Sequence, residues 1–211
     1  GDRNNYLACL ALSSERAGVA YVDISTGEFA ATEISGPDLT SAVRAELIRL
    51  GPAEVLAAEN SDLPDGLPGH ITRWAHWRFE PARCQDTLLA HFQAGSLDGF
   101  GLRGLTQAVR AAGAILQYLQ ETQPAALKLL NGISTYSLSE FMVLDAATRR
   151  NLELTETIRG GEGEGSLLSV LDYTVTPMGK RLIRQWVSKP LLNLKQIHQR
   201  QNAVRFLAEE G

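Results

Sequence analysis

Tyr6-Leu7-Ala8-Cys9-Leu10-Ala11-Leu12 is an unbroken apolar run. A strand with one wet face alternates apolar and polar residues, so a continuous run predicts a strand covered on both faces. The next segment, Ser13-Ser14-Glu15-Arg16-Ala17-Gly18, reads as a turn, and residues 19–24 as a second strand. Ser25-Thr26-Gly27 is a tight connection into a third strand over residues 28–33, whose composition favours strand. Together these predict a three-stranded antiparallel meander. Ser35-Gly36-Pro37-Asp38 then carries helix-start chemistry, with a side-chain cap, an early proline and an acid. Leu39, Val43, Leu47 and Leu50 keep a helical stripe until Gly51-Pro52 stops it. Residues 54–58 form a fourth strand, predicted parallel because a helix precedes it.

Further along, residues 60–70 read as a loop and residues 71–74 as a fifth strand. Pro81 opens a helix through Leu88, Leu89 and Phe92. After a glycine-rich loop, Leu105, Val109, Ala112, Leu116 and Leu119 mark the strongest helix of this half. That order of elements predicts an α/β layer compatible with a ribonuclease-H-like fold. Gln123-Pro124 ends the helix, because the residue before proline is pushed out of helical geometry. The predicted division is therefore residues 1–122, α/β, and residues 123–211, all-α. Helices are expected over residues 139–154 and 166–171, on either side of glycine-rich residues 160–165. Thr176-Pro177 starts another, with Met178, Leu182, Ile183 and Trp186 as its apolar stripe and Ser188-Lys189-Pro190 as its end. Asn193 and Gln196 resemble a capping box for a last helix with Ile197, Val204 and Leu207 facing inward. Its pattern reaches Gly211 without a stop signal and is expected to continue.

Composition excludes several classes. With 44% hydrophobic and 21% charged residues, the chain is neither a disordered tail nor a membrane span. Two cysteines, Cys9 and Cys84, cannot frame a disulfide-stapled secreted domain and make no CxxC pair, so packed free thiols in a cytoplasmic protein are expected. The first residues, Gly1-Asp2-Arg3-Asn4-Asn5, do not resemble a secretory signal. The formal charge of −4 hides an asymmetry: residues 1–122 carry nine Arg, no Lys and fifteen acids, a net −6. Residues 123–211 carry eleven Lys and Arg and nine acids, a net +2. An acidic first part argues against indiscriminate coating of nucleic acid.

Catalytic chemistry finds little to rest on. The phosphate-loop pattern GxxxxGK[ST] is absent, since Gly179-Lys180 precedes Arg181 and Thr174 stands where the first glycine belongs. A metal-dependent nuclease of ribonuclease-H type is the enzymatic alternative, but it needs carboxylates gathered at adjoining strand ends. The first strand holds none, and Asp23, Glu28, Glu33 and Glu59 read as a solvated sheet face. No metal-ligand spacing joins His70, His76, His91 or His198 to a cysteine. Lys180, Arg181 and Arg184 share one side of the helix after Pro177 and are the candidate phosphate-facing residues, against a plain solvated face. Trp74 and Trp77 flank His76 and read as a cover for the sheet edge rather than a base-stacking pair.

Two phrases in the second part carry a family signature. One is Leu144-Asp145-Ala146-Ala147-Thr148-Arg149-Arg150-Asn151-Leu152-Glu153-Leu154. The other runs from Ser166-Leu167-Leu168 through Leu171-Asp172-Tyr173-Thr174-Val175-Thr176-Pro177-Met178-Gly179-Lys180-Arg181-Leu182 to Trp186 and Pro190. Together they closely resemble the MutS family of DNA mismatch-repair proteins. The first part resembles that family's connector domain in Asp23-Ile24-Ser25-Thr26-Gly27-Glu28-Phe29 and in residues 113–122. The resemblance implies a connector followed by the start of the helical core and lever domain. It implies relay between mismatched DNA and a distant ATPase, and a docking surface for MutL, without catalysis in these residues. Arg83, Gln85 and Asp86 on the helix from Pro81 are the candidate partner-binding residues. ATP, magnesium, mismatched DNA and a second MutS subunit belong, by the same resemblance, to the full-length family protein. The family's Phe-x-Glu mismatch reader is missing, since Phe79-Glu80 and Phe141 stand in the wrong context. Residues 160–165 and the Pro124 junction are the expected hinges. An isolated DNA-binding module is the third class, which the acidic first part disfavours.

Overall fold

The computed structural model describes residues 6–138, 144, 146–158 and 164–210. Its secondary structure begins with β1 (Tyr6–Leu12), β2 (Arg16–Asp23) and β3 (Glu28–Ser35), an antiparallel meander as the sequence predicts. β2 starts earlier than expected. Ser13 donates its amide to the Arg16 carbonyl at 2.8 Å, which closes a tighter turn and leaves Ala17 and Gly18 in the ladder. Helix α1 (Leu39–Leu50) follows, capped by Asp38 through the Ser41 amide at 3.3 Å rather than by Ser35. β4 (Glu54–Ala58) and β5 (His70–Trp74) are parallel to β1, so the sheet runs β5-β4-β1-β2-β3 with a short sixth strand, β6 (Ser134–Thr135), parallel to β3. A single 3₁₀ turn (His76–Phe79) leads to α2 (Pro81–Phe92), and α3 (Thr106–Thr122) closes the layer.

Side chains alternate across a strand, and here both faces are buried. Cys9, Ala11, Ala20, Val22, Phe29, Ala31 and Leu56 face α3, where Ala108, Ala112, Ile115, Leu116 and Leu119 are wholly inaccessible. The opposite face holds Leu10, Val19, Tyr21 and Val55, with buried Val43 and Leu47 from α1. That is why β1 is apolar throughout. Two glycines set how closely the layers approach. A Cβ on Gly18 would sit 1.9 Å from the Gln107 carbonyl oxygen, and one on Gly113 would sit 2.4 Å from Cys84 Cβ. Glu33, on the α3 side of β3, caps the helix by accepting from the Gln107 amide at 2.7 Å. At the other end, the Tyr118 hydroxyl donates to Glu54 of β4 at 2.8 Å, and the Tyr118 ring meets Trp74 of β5 edge-on at 5.5 Å.

The chain divides into two compact units between Tyr136 and Ser137, later than the predicted boundary at Thr122. Pro124 does end α3, but residues 124–129 form a 3₁₀ segment, and Leu130 and Ile133 are buried in the core of the first unit. The following residues form β6, a strand within a stretch predicted to be helical. The Pro124 junction therefore lies inside the first unit, where packing replaces the expected hinge.

The second unit, taken by itself, is built from α4 (Ala146–Asn151), α5 (Leu167–Leu171), α6 (Pro177–Ser188) and α7 (Leu194–Glu210). Ser166 caps α5 and Thr176 caps α6, the latter through the Gly179 amide at 3.0 Å. Residues 153–154 accept the amides of Leu167 and Leu168, both at 2.9 Å. The core is small: Leu154, Leu168 and Val187 are buried, with Leu144 and Ile183 against them. The expected apolar stripe of α6 is thus rotated. Ile183 and Val187 face in, whereas Met178 is 74% exposed and Leu182 is exposed. On α7 Ile197 is half-covered, whereas Val204 and Leu207 face solvent instead of a core. The expected helix over residues 139–154 is seen as α4 alone, and residues 139–143 and 145 lie outside the described set. Of the expected glycine hinge, residues 160–163 lie outside it as well.

Candidate docking surface

Helix α2 begins with proline at its first turn and turns Cys84 and Leu88 inward, both fully buried against α3. Helical spacing then places Arg83, Gln85 and Asp86 on the outside, and all three are exposed. Arg83 is not a free cation. Its guanidinium lies 4.6 Å over the Trp77 ring, and Arg78 lies between the two indoles, 4.2 Å from Trp74 and 4.6 Å from Trp77. Arg78 also pairs with Glu121 at the end of α3. The patch is therefore an Arg–Trp stack continued by the amide and carboxylate of α2. Trp77, 43% exposed, is its apolar centre, a residue read from sequence only as an edge cover. The signal available was its place six residues before Arg83, at the turn into α2. Beside the stack, His76 Nδ1 meets Glu59 at 3.2 Å.

The three cations of α6 are less uniform than their spacing suggests. Lys180 is exposed, while Arg181 and Arg184 are half-buried. Hydrogen bonds from Thr174 hold the Asp172 carboxyl below its ordinary value, and the charges of Lys180 and Arg184 add to the effect. Two of the three cations thus act on an acid of the same unit.

The sheet carboxylates are not a solvated face either. Asp23 is 1% exposed and accepts the Ser25 amide at 2.8 Å, which builds the β2–β3 turn. Glu28 accepts from Tyr6 and Tyr21 at 3.0 and 2.9 Å, Glu33 caps α3, and Glu59 meets His76. Each serves local structure at a different place, and among the described residues no three metal-ligating side chains converge. The nuclease alternative gains no support from this arrangement. Gly179 and Lys180 lie within the first turn of α6, and Thr174-Val175-Thr176 stand before the helix where a phosphate-binding loop would place its glycines. Both thiols are free and buried. Burial pushes Cys84 up to about 12 and Cys9 well above its ordinary value, so neither is a nucleophile. No helix among the described residues is long and apolar enough to cross a membrane.

Comparison with known proteins agrees with the two units. The family model described as MutS domain II matches residues 5–131, and that described as MutS domain III matches residues 147–211. The chain is 41% identical over 252 residues to a DNA mismatch repair protein MutS of Roseiflexus castenholzii, covering 100% of this chain and 23% of that protein. It is 44% identical over 210 residues to the protein of that name from Symbiobacterium thermophilum, covering 95% and 24%. The counterpart from Synechococcus elongatus is 42% identical over 226 residues, covering 99% and 25%. The chain thus spans about a quarter of the length of the curated relatives it matches. With domain II and domain III following one another on the two units of the fold, the chain belongs to the MutS family.

Proposed function

We propose that the chain works in DNA mismatch repair as a relay and docking segment, with no reaction of its own. The observation that carries this is the succession of the two MutS domain matches along the chain. On this reading the first unit is a ribonuclease-H-like connector. The strand order β5-β4-β1-β2-β3, with β1 to β3 antiparallel and β4 and β5 parallel to β1, supports that fold. The second unit is the beginning of the helical core and lever domain. The longer protein would meet mismatched DNA in the cytoplasm, pair with a second MutS subunit, and hold ATP and magnesium in parts other than these.

MutL is the proposed partner of the α2 surface. Exposed Arg83, Gln85 and Asp86 beside Trp77 give an aromatic anchor with a polar rim, the composition that protein interfaces favour. Lys180, Arg181 and Arg184 remain the candidate contacts to DNA phosphate. Capture of the intact chain on immobilised MutL tests the docking reading. The parent chain is expected to bind, and Arg83→Glu combined with Asp86→Lys is expected to weaken capture roughly tenfold or more. Failure of the parent chain to bind would refute docking by this chain. Undiminished capture of the variant would move the site off α2.

A further inference from the structure

The first unit ends on a strand too short to hold itself. β6 is two residues long, pairing Ser134 and Thr135 with Ala30 and Ala31, and a parallel ladder of that length supplies very few bonds. Ser134 is exposed and Thr135 half-exposed, so burial adds little. The next residue differs. Tyr136 donates its amide to the Ala31 carbonyl at 3.2 Å, and its own carbonyl accepts from Thr32 Oγ1 at 2.6 Å. Its phenol donates to Glu46 Oε1 of α1 at 2.6 Å. Arg49, one turn further along α1, grips the same carboxylate, with Nε at 2.6 Å from Oε2, and its guanidinium lies 5.8 Å from the Tyr136 ring. Glu46 is 3% exposed, and a carboxylate so buried depends on partners of this kind. Burial and the Glu46 charge hold the phenol protonated, hence a donor. Ser137, immediately after, belongs to the second unit.

We propose that Tyr136 is a latch: seated on the Glu46–Arg49 pair of α1, it fixes the chain's exit from the first unit against the sheet, and its release lengthens the connection to the second unit. Leu130 and Ile133, buried in the core, limit the release to residues 134–136. Three freed residues add roughly 10 Å of reach. Tyr136 is thus a positioning residue, acting through α1 on the connection rather than on any ligand.

Hydrogen exchange of the intact chain, read residue by residue, tests this. Tyr136→Phe is expected to speed exchange of the Tyr136 amide roughly tenfold, as loss of a hydrogen bond to a buried charge implies. Amides of β1 and β2 should keep their parental rates. Glu46→Gln should act on the same amide, and the double variant should be no faster than the faster single one, because both open one latch. Leu88→Ala, a cavity under α2 on the α3 face of the sheet, serves as the reference for general loss of stability. Unchanged exchange at residues 134–136 in Tyr136→Phe, or an increase matched by Leu88→Ala, would overturn the latch. So would additive effects of the two latch substitutions.

Discussion

Replacing Gly18 by alanine adds one methyl group at the point where β2 passes beneath the first turn of α3. The added Cβ would lie 1.9 Å from the Gln107 carbonyl oxygen, 2.1 Å from its carbon and 2.6 Å from the Ala108 nitrogen. Ordinary contact needs about 3.5 Å, so the helix start must rise by about 1.5 Å. All three neighbours are backbone atoms, and no rotamer change relieves them. The rise also draws the Gln107 amide away from Glu33, now 2.7 Å distant. Overpacking of this kind costs about 1–3 kcal/mol, and loss of a charged cap about 1–2 kcal/mol more. The sum, about 2–5 kcal/mol, is large beside a total stability of about 5–15 kcal/mol. With a urea slope of about 2 kcal/mol/M, the midpoint should fall by about 1–2.5 M. Tryptophan fluorescence in a Trp186→Phe background confines the signal to Trp74 and Trp77 in the first unit. Gly95→Ala, where a Cβ meets nothing within 4 Å, is the control and should shift the midpoint little. A fall of less than about 0.5 M for Gly18→Ala would refute the claim that this close approach positions α3.

Two further outcomes follow from the same structure. Cys9 and Cys84 should resist a thiol reagent at pH 8 until the chain unfolds, since burial disfavours both thiolates. Both native values lie above the unfolded value of 9.0, so their contribution to stability is complete below pH 9 and is lost as pH rises towards 12, measurable as a falling urea midpoint in that window. Thr176→Ala removes the cap of α6 and should destabilise the second unit by about 1 kcal/mol, with Thr176→Ser restoring it, as read by exchange of the Gly179 and Lys180 amides.

What the sequence disclosed depended on how local the governing interaction was. The apolar run of β1, the Asp23–Gly27 turn and the Thr176-Pro177 helix start are set by neighbours within a few residues, and they stand where the pattern put them. Pro124 also acted locally, ending α3, but a helix end is not a domain end. Only the burial of Leu130 and Ile133 under distant strands keeps residues 123–136 in the first unit. β6 was illegible for the same reason, since two residues have no period and their pairing is to a strand about a hundred residues earlier. Asp23 and Glu33 looked like surface acids because a carboxylate reads the same whether it faces water or caps a backbone. In the docking patch, helical spacing gave the exposure of Arg83, Gln85 and Asp86, but the stacking of Arg83 on Trp77 needed the turn between them. Residue spacing on α6 aligned Lys180, Arg181 and Arg184, and could not see Asp172 coming alongside from the preceding segment.

Helix α3 is 17 residues long, about 25 Å, and buried along most of its length. It is pinned at one end to β3 through Glu33 and at the other to β4 and β5 through Tyr118, Glu54 and Trp74. Arg78 of the Arg–Trp patch grips Glu121 on this same helix, so the patch shares its support with both ends of the sheet. One helix is thereby the common footing of the exposed surface and of β3 and β4, strands that do not pair with one another.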